Sequence, residues 1–375
     1  MCGIAGIGVS TAADGAALQA ALTRMVRALR HRGPDDEGWE AIPNGTEGEP
    51  ALLLANTRLA ILDRSAAGHQ PMRDPSTGNW IVLNGEIYNY RALRDELAGD
   101  ADWRSHTDTE VVLRAYGKWG VDCLERLRGM YAVALWDQAA RRLLLARDPF
   151  GIKPLYYVAS RNQFLFASEV RALLASGLVP RRLNREGLAS YLSFGSVETP
   201  LTIIHDVLSL PPAHLLIIEM RNGAVATMAR QYTQLPGEQP TTSPGSRSAA
   251  ARAVYEVVSD SVRAHLVSDV PVGAFLSGGI DSSAVVALMH RVSNAPPRTF
   301  SVVFAERQFS EAPYARAIAE RYSTVHTEIP LSESDLLAML PDALRAMDQP
   351  TMDGINTYVV SRAVHQAGIT VALSG

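Results

Sequence analysis

From Gly3 to Val9 the chain is an unbroken run of small and apolar residues, the pattern of a short buried strand. Leu18, Leu22, Met25, Val26 and Leu29 then recur at three- and four-residue intervals, one face of a helix that Gly33-Pro34 should end. Apolar runs at 52–55 and 80–83 predict further strands. Residues 130–137 with 142–147, and 155–159 with 163–167, predict hairpins over the polar stretches 138–141 and 160–162. Helical spacing returns at 90–97, 109–119 and 169–175. Strands in hairpins with few helices between them predict antiparallel sheets covered by helices, an α+β sandwich.

The pattern changes at 233–248, where three prolines, two glycines and many Ser and Thr leave almost nothing apolar, as in a linker. Beyond it helix and strand alternate. Helices are predicted at 254–266, 282–290, 311–322, near 333–346 and at 357–367, with strands at 272–276, 299–304, 325–329 and 370–373. That alternation predicts a parallel sheet with helices on both faces. The last strand runs into Ser374-Gly375, the final residues.

A chain of 375 residues is long enough for two domains. A hydrophobic fraction of 47% and a charged fraction of 20% are ordinary for a globular protein. A net charge of −4 gives no electrostatic case for nucleic acid or an anionic membrane. No apolar stretch reaches the length of a membrane span, and the apolar start lacks the basic flank of a signal peptide. Two cysteines, Cys2 and Cys123, make no disulfide framework, which suits a reducing cytoplasm.

Cys2 carries the sharpest chemical signal. Removal of Met1 leaves a thiol and a free α-amino group on one residue, and such an amine titrates near the neutral range, so base and nucleophile lie a few bonds apart. Taken alone, Cys2 reads equally well as a small residue starting a strand. Asn84-Gly85-Glu86 follows an apolar strand, and an Asn amide beside a glycine N–H could form an oxyanion hole. Asp108 sits at a helix start, where an N-cap is the plain reading and a second role is open. Arg58 could fork onto a carboxylate, although a lone arginine more simply belongs to the surface.

Cys2-Gly3-Ile4, His31-Arg32-Gly33-Pro34-Asp35, Arg58-Leu59-Ala60-Ile61, Asn84-Gly85-Glu86-Ile87-Tyr88-Asn89 and Arg147-Asp148-Pro149-Phe150-Gly151 occur in this order. Together they resemble the class II glutamine amidotransferase domain of glutamine-hydrolysing asparagine synthetases. The resemblance implies an N-terminal-nucleophile αββα sandwich and glutamine hydrolysis through a Cys2 thioester, with Asn84 and the Gly85 N–H stabilising the oxyanion. It implies that Arg58, Leu59, Ile61, Glu86 and Asp108 bind glutamine. The cationic Arg58 suits the carboxylate, and Glu86 with Asp108 suit the ammonium. His31 is expected to be structural, since the N-terminal amine can serve as base.

Leu276-Ser277-Gly278-Gly279-Ile280-Asp281-Ser282 joins an apolar strand to an apolar helix. Two glycines let backbone N–H groups face an anion, and the helix start adds a favourable dipole. It is neither a Walker A loop nor a dinucleotide fingerprint. A turn without a ligand is the plain alternative. The run resembles the loop of ATP pyrophosphatases, the family of the synthetase domain. The resemblance implies cleavage of ATP to AMP and pyrophosphate while a carboxylate is adenylated, and then attack by ammonia. Gly278, Gly279, Asp281, Ser277 and Ser282 would hold phosphate, Leu276 and Val302 would border adenosine, and Ser374-Gly375 would start a second nucleotide loop. Mg2+ is expected with the triphosphate, with no protein ligand identified.

The expected division is a glutaminase domain at 2–220, a connecting segment at 221–248 and, at 249–375, the N-terminal part of a Rossmann-like ATP pyrophosphatase domain. Family members continue beyond this Ser-Gly, so an incomplete synthetase domain is expected. The expected partners are glutamine, ATP and an acceptor carboxylic acid, with aspartate first and polysaccharide or secondary-metabolite carboxylates as alternatives. A homodimer is compatible with these expectations. A non-catalytic relative is disfavoured because Cys2, Asn84, Asp108 and the phosphate loop are all retained.

Overall fold

The computed structural model describes residues 1–11, 14–42, 52–97, 102–221, 223–234, 245–304 and 310–375. The chain divides into two compact units, Met1–Gly237 with Asp348–Thr351, and Glu238–Met347 with Met352–Gly375.

The first unit contains the strands β1 (Gly3–Val9), β2 (Asp36–Ile42), β3 (Leu52–Arg58), β4 (Met72–Arg73), β5 (Trp80–Ile87) and β6 (Gly129–Asp137). They are followed by β7 (Arg142–Arg147), β8 (Tyr156–Ala159), β9 (Gln163–Ala167), β10 (Leu208–Ser209), β11 (His214–Arg221) and β12 (Ala224–Gln231). Its helices are α1 (Gly15–Leu29), α2 (Tyr90–Leu97), α3 (Asp108–Trp119), α4 (Cys123–Arg126), α5 (Val170–Ala175) and α6 (Arg185–Phe194).

Two six-stranded sheets form, in the orders β10-β8-β9-β1-β3-β2 and β12-β11-β7-β6-β5-β4. All their pairings are antiparallel, as the hairpin pattern predicted. Between the sheets lies one apolar layer of Ile4, Leu52, Leu54, Val82, Ala134, Trp136, Phe164, Phe166 and Ile218. On the outer face of the first sheet Ala5, Ile7 and Val9 pack with Leu18, Leu22, Met25 and Leu29 of α1 and Leu173 of α5. Helix α3 covers β5 with the buried residues Val111, Val112 and Ala115. This is the αββα sandwich expected from sequence.

Strand alternation sets which way the chemical residues face. On β1, Ile4 points between the sheets while Ala5 and Ile7 point to the helices, so Cys2 is directed toward the inter-sheet side. On β5, Val82 points inward, and Asn84 and Glu86 share its parity. The strand does not end at Leu83 as the apolar run suggested. It continues through Asn84-Gly85-Glu86 to Ile87, paired with Gly129 of β6. The second sheet also runs past residue 220, because Ala224–Gln231 pair with β11. Of the expected linker, 235–244 lie outside the described residues.

The second unit contains α7 (Arg247–His265), β13 (Val272–Phe275), α8 (Ile280–Val292), β14 (Arg298–Phe304), α9 (Ala312–Arg321) and β15 (Val325–Leu331). It continues with α10 (Glu333–Ala346), α11 (Gly354–Gln366) and β16 (Val371–Leu373). Its four strands are all parallel, in the order β15-β14-β13-β16. Ala274 and Leu276 pack on one side against Val262, Val286, Met289 and Ala315 from α7, α8 and α9. Phe275 and Phe300 pack on the other against Val364 of α11. Helices therefore cover both faces, as the alternation predicted.

Candidate active site

Cys2, Arg58, Leu59, Ile61, Gly85, Glu86 and Asp108 line one small cleft in the first unit, together with Leu62, Gln70, Leu83, Thr107 and Thr109. The Cys2 thiol donates to the Leu59 carbonyl at 3.7 Å and accepts from the Leu59 N–H at 3.4 Å. Burial pushes this thiol above its ordinary pKa, so it is neutral at neutral pH and needs a base. The α-amino group of Met1 moves the opposite way, down to about 6. Burial is the main cause, with the cationic Arg32 and Lys153 adding to it and the Cys2 and Glu86 charges opposing. Lys153 is itself buried and pushed down.

The edge of β5 explains the position of Gly85. Tyr131, the partner of Gly85 on β6, turns its own N–H and C=O toward Asp148, on the side away from β5. In an antiparallel ladder Gly85 then directs its N–H away from β6. Its neighbours of the same parity behave alike. The Leu83 N–H is taken by Gln70 Oε1 at 2.7 Å and the Ile87 N–H by Asp108 Oδ2 at 2.8 Å. Gly85 lies between these two capped positions, with its N–H directed at the cleft. A side chain there would begin 2.4 Å from the Met130 carbonyl and 2.7 Å from the Tyr131 Cα, so only glycine fits without moving backbone.

Asn84 is fully buried, and neither its Nδ2 nor its Oδ1 has a hydrogen-bond partner. Buried amides are almost always paired, so this one calls for an explanation, and Asn84 itself does not line the cleft that Gly85 and Glu86 border.

Asp108 does not cap its helix. Thr107 does, its hydroxyl accepting from the Glu110 N–H at 3.2 Å, while Asp108 is the first helical residue and turns to β5. Burial pushes the Asp108 carboxyl up to about 6, against the opposing backbone N–H groups and the Arg58 charge. Arg58 is not a surface arginine. It is 6% exposed and donates to the carbonyls of Leu62 (3.0 Å), Ser65 (3.1 Å) and Asp63. Those bonds take three of the five guanidinium donors.

Sequence reasoning missed the supports of this cleft. Gln70 braces Leu83 and, through Nε2, Thr109 at 3.1 Å. Arg32 donates from Nε to the Cys2 carbonyl at 2.9 Å and from Nη1 to Glu169 Oε1 at 2.8 Å. His31 lies outside the cleft lining and pairs with the same Glu169 oxygen at 2.9 Å, the structural role expected of it. Arg32 stood in a recognisable run, but nothing along the sequence marks Gln70 or Glu169 as partners.

In the second unit the glycine loop leaves β13 and opens α8. Gly278 has φ +83°, and a side chain there would meet Tyr314 at 2.5 Å, so glycine is required for both conformation and space. The Ser277 and Ser282 hydroxyls lie 3.0 Å apart, and the Gly279 N–H reaches Ser277 Oγ at 3.3 Å. No side chain caps the start of α8, so its first N–H groups have no capping partner from the side chain at that end. Asp281 is exposed beside them, and a side chain on Gly375 would begin 2.4 Å from the Ser282 nitrogen, so the two backbones lie close together. Ser374-Gly375 thus follow β16 directly onto the loop. Leu276, Ser277 and Val302 line an adjoining cavity of about 490 Å3 with Phe300, Met352 and Asn356, whereas the two glycines, Asp281 and Ser282 stand outside its wall. Among the described residues no group of three His, Cys, Asp or Glu could hold a metal ion. No helix among them is long and apolar enough to cross a membrane.

Residues 1–233 match the family described as glutamine amidotransferase domain, and residues 253–375 match asparagine synthase. The chain is 33% identical over 394 residues to putative asparagine synthetase (glutamine-hydrolyzing) 2 of Methanocaldococcus jannaschii, covering 100% of this chain and 74% of that one. It is 33% identical over 358 residues to asparagine synthetase (glutamine-hydrolyzing) 3 of Bacillus subtilis, covering 90% of this chain and 56% of the relative. Amidase chry2 of Gibberella zeae is 30% identical over 366 residues, with 92% of this chain and 52% of the relative covered. The chain therefore spans about three quarters of the first relative and little more than half of the other two.

Proposed function

The chain belongs to the glutamine-hydrolysing asparagine synthetase family, and on that premise we propose that Cys2 hydrolyses glutamine and supplies ammonia to a carboxylate activated by ATP. The observation that carries the glutaminase half is the buried, unpartnered Asn84 amide on the strand that also turns the Gly85 N–H to the Cys2 cleft.

Loss of Met1 places the α-amino group on Cys2. A free α-amino group ordinarily titrates near the neutral range, so a sizeable share of it is unprotonated there, while burial keeps the thiol neutral. The amine takes the thiol proton as sulfur attacks the side-chain amide carbon of glutamine. The carbonyl oxygen becomes an oxyanion, which accepts from Asn84 Nδ2 and the Gly85 N–H. As the C–N bond breaks, the proton held by the amine passes to the departing nitrogen and ammonia leaves a thioester. Water, activated by the same amine, then releases glutamate and restores the thiol. Arg58 faces the substrate carboxylate with its two remaining donors, and Asp108 with Glu86 faces the ammonium.

Asp108 makes this binding pH-dependent. A glutamine ammonium binds its ionised form, and in the free chain that form is lost as the pH falls through about 6. KM for glutamine is expected to rise below that pH, by about tenfold per unit at the limit, and to be flat above it. Initial rates between about pH 5 and 8 check this, and a KM unchanged across the range contradicts it.

In the second unit, Gly278, Gly279, Ser277 and Ser282 offer N–H and hydroxyl donors to a triphosphate at the carboxyl ends of parallel strands, and Leu276 and Val302 offer an apolar wall to adenosine. The nucleotide supplies carboxylate activation with release of pyrophosphate. Magnesium would arrive on the triphosphate oxygens, with Asp281 the nearest acidic residue in the loop. Aspartate is the first acceptor by family, and the second reading is that another carboxylate takes the ammonia, since the relatives do not all carry the asparagine synthetase name. Pyrophosphate release from ATP, screened over carboxylic acids, tests both. It is expected to require one acid and to fall by about tenfold or more in Asp281→Ala. Release independent of any acid contradicts the ligase reading.

A further inference from the structure

Helix α5 begins in an unusual way. Glu169 occupies its N-cap position, yet its side chain makes no capping bond and turns back to Arg32 and His31. The cap comes from Asp348, which lies 177 residues beyond Arg171 in sequence and in the same compact unit. Asp348 Oδ2 accepts from the Val170 N–H at 2.6 Å, and Oδ1 accepts from the Arg171 N–H at 2.8 Å. Oδ1 also accepts from Arg171 Nε at 3.3 Å. The same Nε lies 3.0 Å from Glu169 Oε2, an ion pair without hydrogen-bond alignment, since Oε2 has no hydrogen-bond partner. The neighbouring Gln349 anchors the segment by accepting the Ile203 N–H at 2.9 Å.

A continuous set of contacts therefore runs from Asp348 through Arg171 and Glu169 to Arg32, and from Arg32 Nε to the carbonyl of Cys2. Arg32 and Glu169 are buried and Asp348 nearly so, where charge pairs are strong and an unpaired charge is costly, while Arg171 is 31% exposed. Burial raises the Asp348 carboxyl, with the Glu169 charge adding to it and the two backbone N–H groups opposing. Glu169 is held low, because His31 and Arg32 outweigh its burial.

We propose that Asp348 is a positioning residue for Cys2. By taking the first N–H groups of α5 together with Arg171, it leaves Glu169 to hold Arg32, and Arg32 to fix the backbone of the nucleophile's own residue. Without it, Arg171 is left to the Glu169 carboxylate, already 3.0 Å from its Nε, and the freed N–H groups compete for the same N-cap side chain. Arg32 then loses its anchor and the Cys2 carbonyl its donor. The glutamine-binding groups Arg58, Glu86 and Asp108 take no part in this set, so the effect falls on the attack and not on binding.

The inference rests on the reading of Cys2 as the glutaminase nucleophile, and the test separates the two. Asp348→Asn, Asp348→Ala and Asp348→Glu are compared with wild type in the full chain. One readout is kcat and KM for glutamine, and the other is the rate at which iodoacetamide alkylates Cys2, followed on the N-terminal peptide. Asp348→Asn and Asp348→Ala are expected to lower kcat by about tenfold with KM within about twofold, and to change the alkylation rate by a similar factor. Asp348→Glu restores most of both. A kcat and an alkylation rate within about twofold of wild type in folded Asp348→Asn overturn the proposal, and a lower melting temperature alone does not rescue it. If wild type fails to hydrolyse glutamine, the glutaminase reading falls. The alkylation rate then decides this inference by itself, an unchanged rate in Asp348→Asn overturning it.

Discussion

Cys2→Ala is expected to leave no measurable release of glutamate or ammonia from glutamine, a fall of about 10⁴-fold or more in kcat. The substitution removes the only atom that can form the thioester and leaves the amine, the cleft and the Gly85 N–H in place. Cys2 precedes β1 and is only half-buried, so the melting temperature is expected to stay within about 2 °C of wild type. Cys123 supplies the contrast. It is fully buried and its thiol is pushed up to about 12 by burial, so it is inert packing, and Cys123→Ala affects stability without touching glutamine hydrolysis. Equal release by wild type and Cys2→Ala contradicts the assignment.

Asn84→Ala carries the second largest effect. Loss of one oxyanion donor typically costs about 10²- to 10³-fold in kcat, and KM is expected to change little because the amide engages charge that appears only after attack. The stability result separates this role from a structural one. A buried amide that served the fold would be hydrogen-bonded, and its removal would destabilise. Here both amide atoms are unpartnered, a state that itself costs about 1–3 kcal/mol. Asn84→Ala is therefore expected to melt at or above the wild-type temperature while losing activity, measured by thermal denaturation beside steady-state kinetics. A lower melting temperature with unchanged kcat would assign Asn84 to the core.

Much of this was legible in the chain because burial leaves a periodic trace. The unbroken apolar run of β1, the helix face of α1 and the apolar strands β13 and β14 are each set by contact with a core, and each stood out in the sequence. The elements that were not read include the buried strand β11, whose Leu215, Leu216 and Ile218 lie in the core, and others where burial is slight. β2 and β12 are sheet edges whose residues are mostly exposed, and α6 buries only Gly187. A strand that is polar on both faces is held by its ladder, which leaves no hydrophobic period to see.

The site divides in the same way. Cys2, Asn84 and Asp108 could be singled out because their chemistry is local to short runs. Asp108 still appeared as a plain N-cap, since a carboxylate at a helix start looks the same whether it serves its own helix or a strand at another point in the sequence. Only the fold shows that Thr107 does the capping and frees Asp108 for Ile87. Gln70, Glu169 and Asp348 had no signal at all. Each acts through bonds to residues distant in sequence, and such pairings are written in topology and not in spacing.

The central claim is that Cys2, with its own free amine, forms the covalent intermediate. It is tested most directly by quenching the purified chain with acid during glutamine turnover and measuring the mass of its N-terminal peptide. The account predicts a peptide that begins at Cys2, lacks Met1 and carries one glutamyl group that is lost as turnover completes. Glutamine hydrolysis by a chain that retains Met1, or with the glutamyl group on another residue, would contradict it.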